Sequence, residues 1–321
     1  MEKIPLEWTT KAVFFSQIDW ADTRFRITYG RPMAALIPSI RNVGLLNQAV
    51  LQEKESGQFR IVAGARRLRA LQEIGQEPIE CKIAPVESRE KGLLLWNFFE
   101  NLDRGFNPVE QALAVKKLSA FLEEKELIQE YLPYLGLAPK KETLERFSIV
   151  AEISPLYRQA LFEGRLFPET IELTLKEFRP VANLIWALFV FLHWGFQKQK
   201  EFLTELKEIS KRIGRDWVSI LLSEFLTEPC QRPLWTPQQK GVAIRNFFRA
   251  CLYPTLTETE KAFAQSIAPL NLDQRSKISP PPFFEGGRYN LEISFSSSQE
   301  LKESLGRIVP ALEQGKFDRL P

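Results

Sequence analysis

Phe59-Arg60-Ile61-Val62-Ala63-Gly64-Ala65-Arg66-Arg67-Leu68-Arg69-Ala70 is the stretch on which the fold turns. A short run rich in β-formers meets a glycine and passes at once into residues of helical spacing. A helix that starts there gathers unpaired backbone N–H groups and the positive end of its dipole, which suits an anion. Gly64 allows a ligand to come close to the backbone, and Arg66 and Arg67 add planar forks that match phosphate oxygens. The plainer reading is an arginine-rich surface turn, in which Arg60 and Arg69 are simply solvated.

Outward from this turn, residues 13–18 (VFFSQI), 47–52 (NQAVLQ) and 78–84 (PIECKIA) read as further strands beside 59–63. Residues 33–43 and 65–74 have helical spacing and end at Gly44 and Gly75, which suit C-caps. Residues 87–102 form the next expected helix. Asn107-Pro108-Val109-Glu110 then opens another, with Asn as N-cap, Pro in the first turn and Glu as capping partner. From about 107 to 226 almost everything is helical in pattern, and 127–136 followed by 140–153 has helix–turn–helix spacing. Pro229-Cys230-Gln231-Arg232-Pro233 is the expected linker. A helix over 238–251, another from near Thr257, a proline run at 279–282, a strand at 290–295 and a last helix over 298–313 follow. The expected class is α+β. A small mixed α/β domain (1–106) precedes an all-helical middle (107–228) and a small α+β C-terminal domain (234–321).

Composition narrows the function more by exclusion. Hydrophobic residues make up 44% and charged residues 26% of the 321, as in ordinary folded domains. Three cysteines without a C-x-x-C, and a single histidine, His193, leave no zinc-ligand pattern and no Cys/His nucleophile pair. The apolar run 181–196 is too short to span a bilayer and reads as a buried helix that can also serve an oligomer interface, with His193 as a core histidine. With no secretory pattern at the start, a reducing cytoplasm is expected. Net charge is +3, but residues 125–179 carry 8 Lys+Arg against 9 Asp+Glu, so no segment is a basic block.

A second polar cluster is Glu100-Asn101-Leu102-Asp103-Arg104. A carboxylate, an amide oxygen and a guanidinium so close together can hold Mg²⁺ and the phosphates it bridges. A polar helix C-terminus has the same composition, and Asp103 reads as solvated.

Four segments together carry a resemblance. Ser39-Ile40-x-x-x-Gly44-Leu45-Leu46, Ile61-Val62-Ala63-Gly64-x-Arg66-Arg67-x-x-Ala70, Glu100-Asn101-Leu102-x-Arg104 and Asn107-Pro108-x-Glu110-x-Ala112 occur in the order and spacing of ParB N-terminal domains. The resemblance covers about residues 10–120 and fades towards 178. It implies CTP bound with Mg²⁺: Gly64, Arg66, Arg67 and Arg104 on the phosphates, Asn101 and Glu100 at the metal, and Glu100 supporting a slow hydrolysis. It also implies a cytoplasmic, nucleoid-associated homodimer that closes on double-stranded DNA as a nucleotide-gated clamp in chromosome or plasmid partition. Lys140, Lys141, Thr143 and Arg146 would then reach the DNA. The chain departs from the pattern at Ala65, where an acidic residue is usual, at Asn47-Gln48, and in the charge balance of the DNA-reading segment. Two rivals come from other classes, and the charge balance favours the first. One is an interaction module that binds a partner protein and has lost DNA reading. The other is a small-molecule kinase of the same superfamily.

Overall fold

The computed structural model describes residues 8–321, and the chain divides into two compact units, one running to Phe196 and one from Gln197 to Pro321. The class is α+β, as expected: a mixed N-terminal sheet, a largely helical body and a small C-terminal sheet.

The first unit opens with five strands, β1 (Thr9–Val13), β2 (Ile18–Asp19), β3 (Ala49–Glu53), β4 (Phe59–Ala63) and β5 (Ile79–Ala84), in the order β1-β5-β3-β4-β2. β3 runs antiparallel to β4 and parallel to β5, and β1 closes the far edge antiparallel to β5. The side-chain period explains which strand sits where. In β5, Ile79, Cys81 and Ile83 are buried while Glu80 and Lys82 alternate outward. In β3, Ala49, Val50, Leu51 and Gln52 are all buried, as a central strand covered on both faces requires. Helices α1 (Leu36–Val43) and α2 (Ala65–Ile74) bury Ile40, Leu68 and Leu71 against Leu51, Phe59, Ile79 and Ile83, and α3 (Glu90–Glu100) packs on β4. At ~25 cal/mol per Å² of apolar surface, such a core is the main source of this unit's stability.

α4 (Pro108–Leu118) begins at the expected cap. Asn107 Oδ1 accepts from the Val109 and Glu110 amides, and the Glu110 carboxylate accepts from the Asn107 amide. α4 packs against the helix Lys141–Ala151, reached through a continuous helical stretch over 124–134, and Pro155–Phe162, Pro168–Glu177 and Ala182–Leu192 follow. In the second unit, helices Phe196–Ile213 and Pro237–Leu252 stack Phe202 on Phe248, ring centroids 4.9 Å apart. β6 (Ser276–Ser279) and β7 (Asn290–Ile293) form an antiparallel pair, and Ile278 packs with Phe263, Leu270 and Ala311 of the final helix Ser298–Glu313.

Several expectations need correction. Residues 13–18 are not one strand: β1 ends at Val13, Phe15–Gln17 make a 3₁₀ turn, and β2 begins at Ile18. The Phe14 amide donates to Gln17 Oε1 at 2.8 Å and the Gln17 amide to the Phe14 carbonyl at 3.0 Å, so local bonds win over the ladder. β1 and β6 were not foreseen. The stretch 229–233 is not a linker, because Pro229 to Gln231 complete a helix that starts at Glu224. Arg232, which follows the helix, is extended (φ −71°, ψ 108°), as the residue before a proline tends to be. Lys240 Nζ then donates to the Cys230 carbonyl at 3.0 Å, tying the next helix to this one inside the second unit. His193 is not a core histidine. It caps the helix Ala182–Leu192 in the left-handed region (φ 52°) and is exposed, as are Leu184 and Phe191 of that run.

Candidate functional site

The strand–glycine–helix turn has the geometry its residues suggest. Gly64 lies between β4 and α2 with φ 85° and ψ 19°, a conformation that a side chain disfavours. A Cβ there would stand 3.0 Å from Ala49 Cα and from Arg67 Nε, so the turn is closed on that side by β3. No side chain caps the start of α2, which leaves its first amides without a side-chain acceptor.

Arg66 and Arg67 leave this turn in different directions. Arg67 Nη1 donates to the Asn47 and Gln48 carbonyls at 2.9 and 3.1 Å, and Nη2 pairs with the Glu100 carboxylate at the end of α3. Arg66 donates to the Pro32 carbonyl, while its Nε is buried with no hydrogen-bond partner. Burial first, and then the charges of Arg104 and Arg31, push the Arg66 pKa down, and Glu110 is the group that works the other way.

Glu110 is the hub of the second cluster. Its side chain is fully buried. It accepts from Arg31 Nη2 and Arg104 Nη1, each at 2.8 Å, and from the Tyr29 and Asn107 amides at 3.1 Å. Burial opposes its charge, but these bonds outweigh burial and hold its pKa below the ordinary 4.5. Arg104 also donates to Asn101 Oδ1 at 2.7 Å and to Thr28 Oγ1 at 3.0 Å. Asn101 Nδ2 in turn donates to the Asn97 carbonyl at 2.7 Å. Gly64, Arg66, Arg67, Glu100, Asn101 and Arg104 therefore belong to two adjoining clusters bridged by α3. Asp103 is exposed, as expected.

The Asn101 side-chain oxygen is engaged by a guanidinium as it stands, and Glu100 is engaged by Arg67. Among the described residues, no group of three or more His, Cys, Asp or Glu gathers as a metal cage. Two other arginines are tied rather than simply solvated. Arg60 pairs with Asp22 at 3.0 Å and Glu90 at 3.3 Å, and the Arg69 guanidinium lies 3.9 Å from the Trp20 ring centroid.

The four residues proposed to reach DNA lie at or on the helix Lys141–Ala151. Lys140 precedes it and is exposed, and Lys141 is exposed with an ion pair to Glu124 at 3.3 Å. Thr143 is buried. Arg146 is half-buried, bonded to Glu172 at 2.6 Å and to Glu169 at 3.3 Å on the helix Pro168–Glu177.

The residue that sequence reading missed is Arg31. It lies in no motif and reaches Glu110 across most of the N-terminal domain's length. Only the short Gly30-Arg31-Pro32 turn marks it locally, and that pattern has no specific chemistry.

The model of the ParB N-terminal domain family matches residues 15–101. Residues 15–101 of this chain are similar to ParB N-terminal domains. The nucleoid occlusion protein of Geobacillus thermodenitrificans is 36% identical over 101 residues, covering 31% of this chain and 34% of that protein. The nucleoid occlusion protein of Halalkalibacterium halodurans is 30% identical over 176 residues, covering 54% of this chain and 59% of that protein. The chain thus spans about a third of the length of the first relative. A C-terminally truncated ParB of Caulobacter crescentus, complexed with CTP-gamma-S, is similar at 20% identity over 57% of this chain and 99% of that one. Its TM-score of 0.26 is too low to carry one chain's residues onto the other. All the candidate phosphate and metal residues except Arg104 fall inside the matched ParB segment.

Proposed function

We propose that the ParB domain binds CTP with Mg²⁺ at the turn Gly64–Arg67 and that the chain associates with double-stranded DNA as a nucleotide-gated homodimer in chromosome organisation. One observation carries the nucleotide reading. An αL glycine and an uncapped helix start stand beside Arg66, whose buried Nε lacks a partner, with Arg67 and Arg104 in the adjoining clusters. Such a group of donors fits a phosphate chain, which brings acceptor oxygens and negative charge together. The metal would enter with the phosphates rather than wait in a cage, as Mg²⁺ tends to, through one or two carboxylates and substrate oxygens. Glu100 offers the carboxylate. Asn101 could contribute its oxygen once Arg104 turns to phosphate. Mg²⁺ would supply charge neutralisation between phosphates.

Glu100 can also orient a water for slow hydrolysis, since it accepts protons and sits at the end of α3 beside Arg67. Isothermal titration tests the site. Arg67→Ala removes a charge-assisted fork worth roughly 1.5–3 kcal/mol and should abolish measurable CTP binding. Equal affinity for ATP would remove the cytidine specificity, and an unaffected variant would remove the site.

A second reading has its own support. The half-buried Arg146 is committed to Glu169 and Glu172, and Thr143 is buried, so two of the four DNA candidates face protein. That favours an interaction module that holds a partner protein and no longer reads DNA. A mobility shift on genomic fragments at low salt, with and without CTP, separates the two.

A further inference from the structure

Arg31 gives the candidate site a fourth guanidinium, one that no motif supplies. It comes from the loop between β2 and α1, and its Nη2 donates to Glu110 at 2.8 Å and to the Gly105 carbonyl at 2.7 Å. Arg104 approaches the same carboxylate from the end of α3, and Arg66 comes from α2 to the neighbouring Pro32 carbonyl. Arg31 and Arg104 thus share one fully buried carboxylate, and Arg66 stands beside them without pairing to it, so three cations gather around a single negative charge. Like charges gathered in this way repel, and their partial burial limits the water that would screen the repulsion. The depressed pKa of Arg66, with Arg104 and Arg31 among its causes, reports that tension.

The cluster is also open. Gly30, Arg31, Pro32, Arg104, Gly105 and Phe106 line a surface pocket, and the Arg66 Nε beside it is buried without an acceptor. An unpaired buried donor costs stability unless an acceptor reaches it. An anion carrying two or more charges would supply acceptors to all three guanidiniums at once and cancel the surplus. A single phosphate offers fewer acceptors and less charge than the three forks can use.

We propose that Arg31 contacts the outer phosphates of a nucleoside polyphosphate, and so sets the preference of this site for a tri- over a monophosphate. This rests on the phosphate-binding reading of the turn at Gly64. Arg31 is the contributor from outside the glycine–arginine turn and the α3 end, so it should matter only when the phosphate chain is long enough to reach it.

The experiment is equilibrium titration of the full chain with CTP, CDP, CMP and inorganic tripolyphosphate, each with Mg²⁺, for wild type, Arg31→Ala and Arg31→Lys. Arg31→Ala should weaken CTP and tripolyphosphate about tenfold or more while leaving CMP within about twofold, and Arg31→Lys, which keeps the charge but not the fork, should fall between. Far-UV circular dichroism and the unfolding midpoint without ligand report whether each variant folds, and Arg31→Lys keeps a cation beside Glu110 if alanine does not. An equal loss for CTP, CDP and CMP would mean that Arg31 only supports the fold, and no loss for CTP would remove it from the site. Tripolyphosphate that binds in an Arg31-dependent way while CTP does not would keep Arg31 and overturn the nucleotide reading. If neither binds wild type, both fall.

Discussion

Glu110 is where a single atom group decides most. Its carboxylate closes the cap of α4 and at the same time neutralises Arg31 and Arg104. Replacing it with Gln keeps the shape and removes the charge, leaving Arg31 and Arg104 without a counter-ion. A wholly buried pair broken in this way costs roughly 3–5 kcal/mol, and because both arginines reach solvent, about 2–3 is expected here, read from urea unfolding. The pH dependence has a definite sign. The folded pKa lies below the ordinary 4.5, so Glu110 contributes its full stabilisation above that value and loses it as pH falls through the depressed folded pKa. Wild type should therefore lose stability more steeply than Glu110→Gln below about pH 4.5, and parallel curves would show that another group dominates. Gly64→Ala is a smaller and more local change. It forces a Cβ into the left-handed region and to 3.0 Å from Ala49, so a loss of about 1–2 kcal/mol in thermal unfolding is expected, with weaker nucleotide binding. At the end of α3 the roles should separate. Asn101→Ala is expected to lose the Mg²⁺-dependent part of CTP binding, while Glu100→Gln keeps binding and slows phosphate release. Release at the parental rate from Glu100→Gln would remove that carboxylate from any hydrolytic role.

At the scale of elements, what could be read in the sequence was what local chemistry dictates. β4 and α2 fall on the residues expected, because a β-rich run, a glycine and a helical period meet at one boundary. The Asn107 cap is likewise written in four consecutive residues, and so is the final helix from Ser298 to Glu313. β1 was not legible, since Thr9, Thr10 and Lys11 are exposed and only its pairing with β5 makes it a strand. Arg31 and the pairing of Arg146 were hidden for the same reason: each depends on a partner that only the tertiary fold brings near. The helix Lys141–Ala151 shows what that concealment can mean. Arg146 ties it to Pro168–Glu177, and burial opposes but does not overcome the bonds from Arg146 and Lys176 that hold the Glu172 pKa down. Glu172→Gln should cost about 1 kcal/mol, measured by chemical unfolding, and should free the Arg146 guanidinium. If this helix reads DNA, the same variant should bind genomic fragments more tightly at low salt and Arg146→Ala more weakly. With so few cations to neutralise phosphates, the slope of log affinity against log salt should reflect only a handful of contacts. Identical binding by both variants would leave the helix to a protein partner.

For the molecule as a whole, the surface of the second unit bears on assembly. Leu305, Val309 and Leu312 of the helix Ser298–Glu313 are 40%, 45% and 58% exposed and recur at the spacing of one helix face. A homodimer is expected to cover them, and light scattering should give a dimer that Val309→Glu converts to a monomer. A monomeric wild type at high micromolar concentration would count against this. The first unit has a different consequence, which lies in time rather than in space. Thr9 pairs with Ile83 and Val13 with Ile79, so the first strand of this sheet in chain order waits for the last. Closing so long a loop is entropically costly and slow, and contacts of such sequence separation tend to form late. Until then the Ile79–Ala84 edge has no neighbour on that side, and an unpaired edge invites a strand from another chain. A chain that begins at Phe14 should therefore refold to a sheet of four strands and then self-associate, in proportion to its concentration. The threonines and the lysine of β1 serve the native protein as a polar hem, sewn on last.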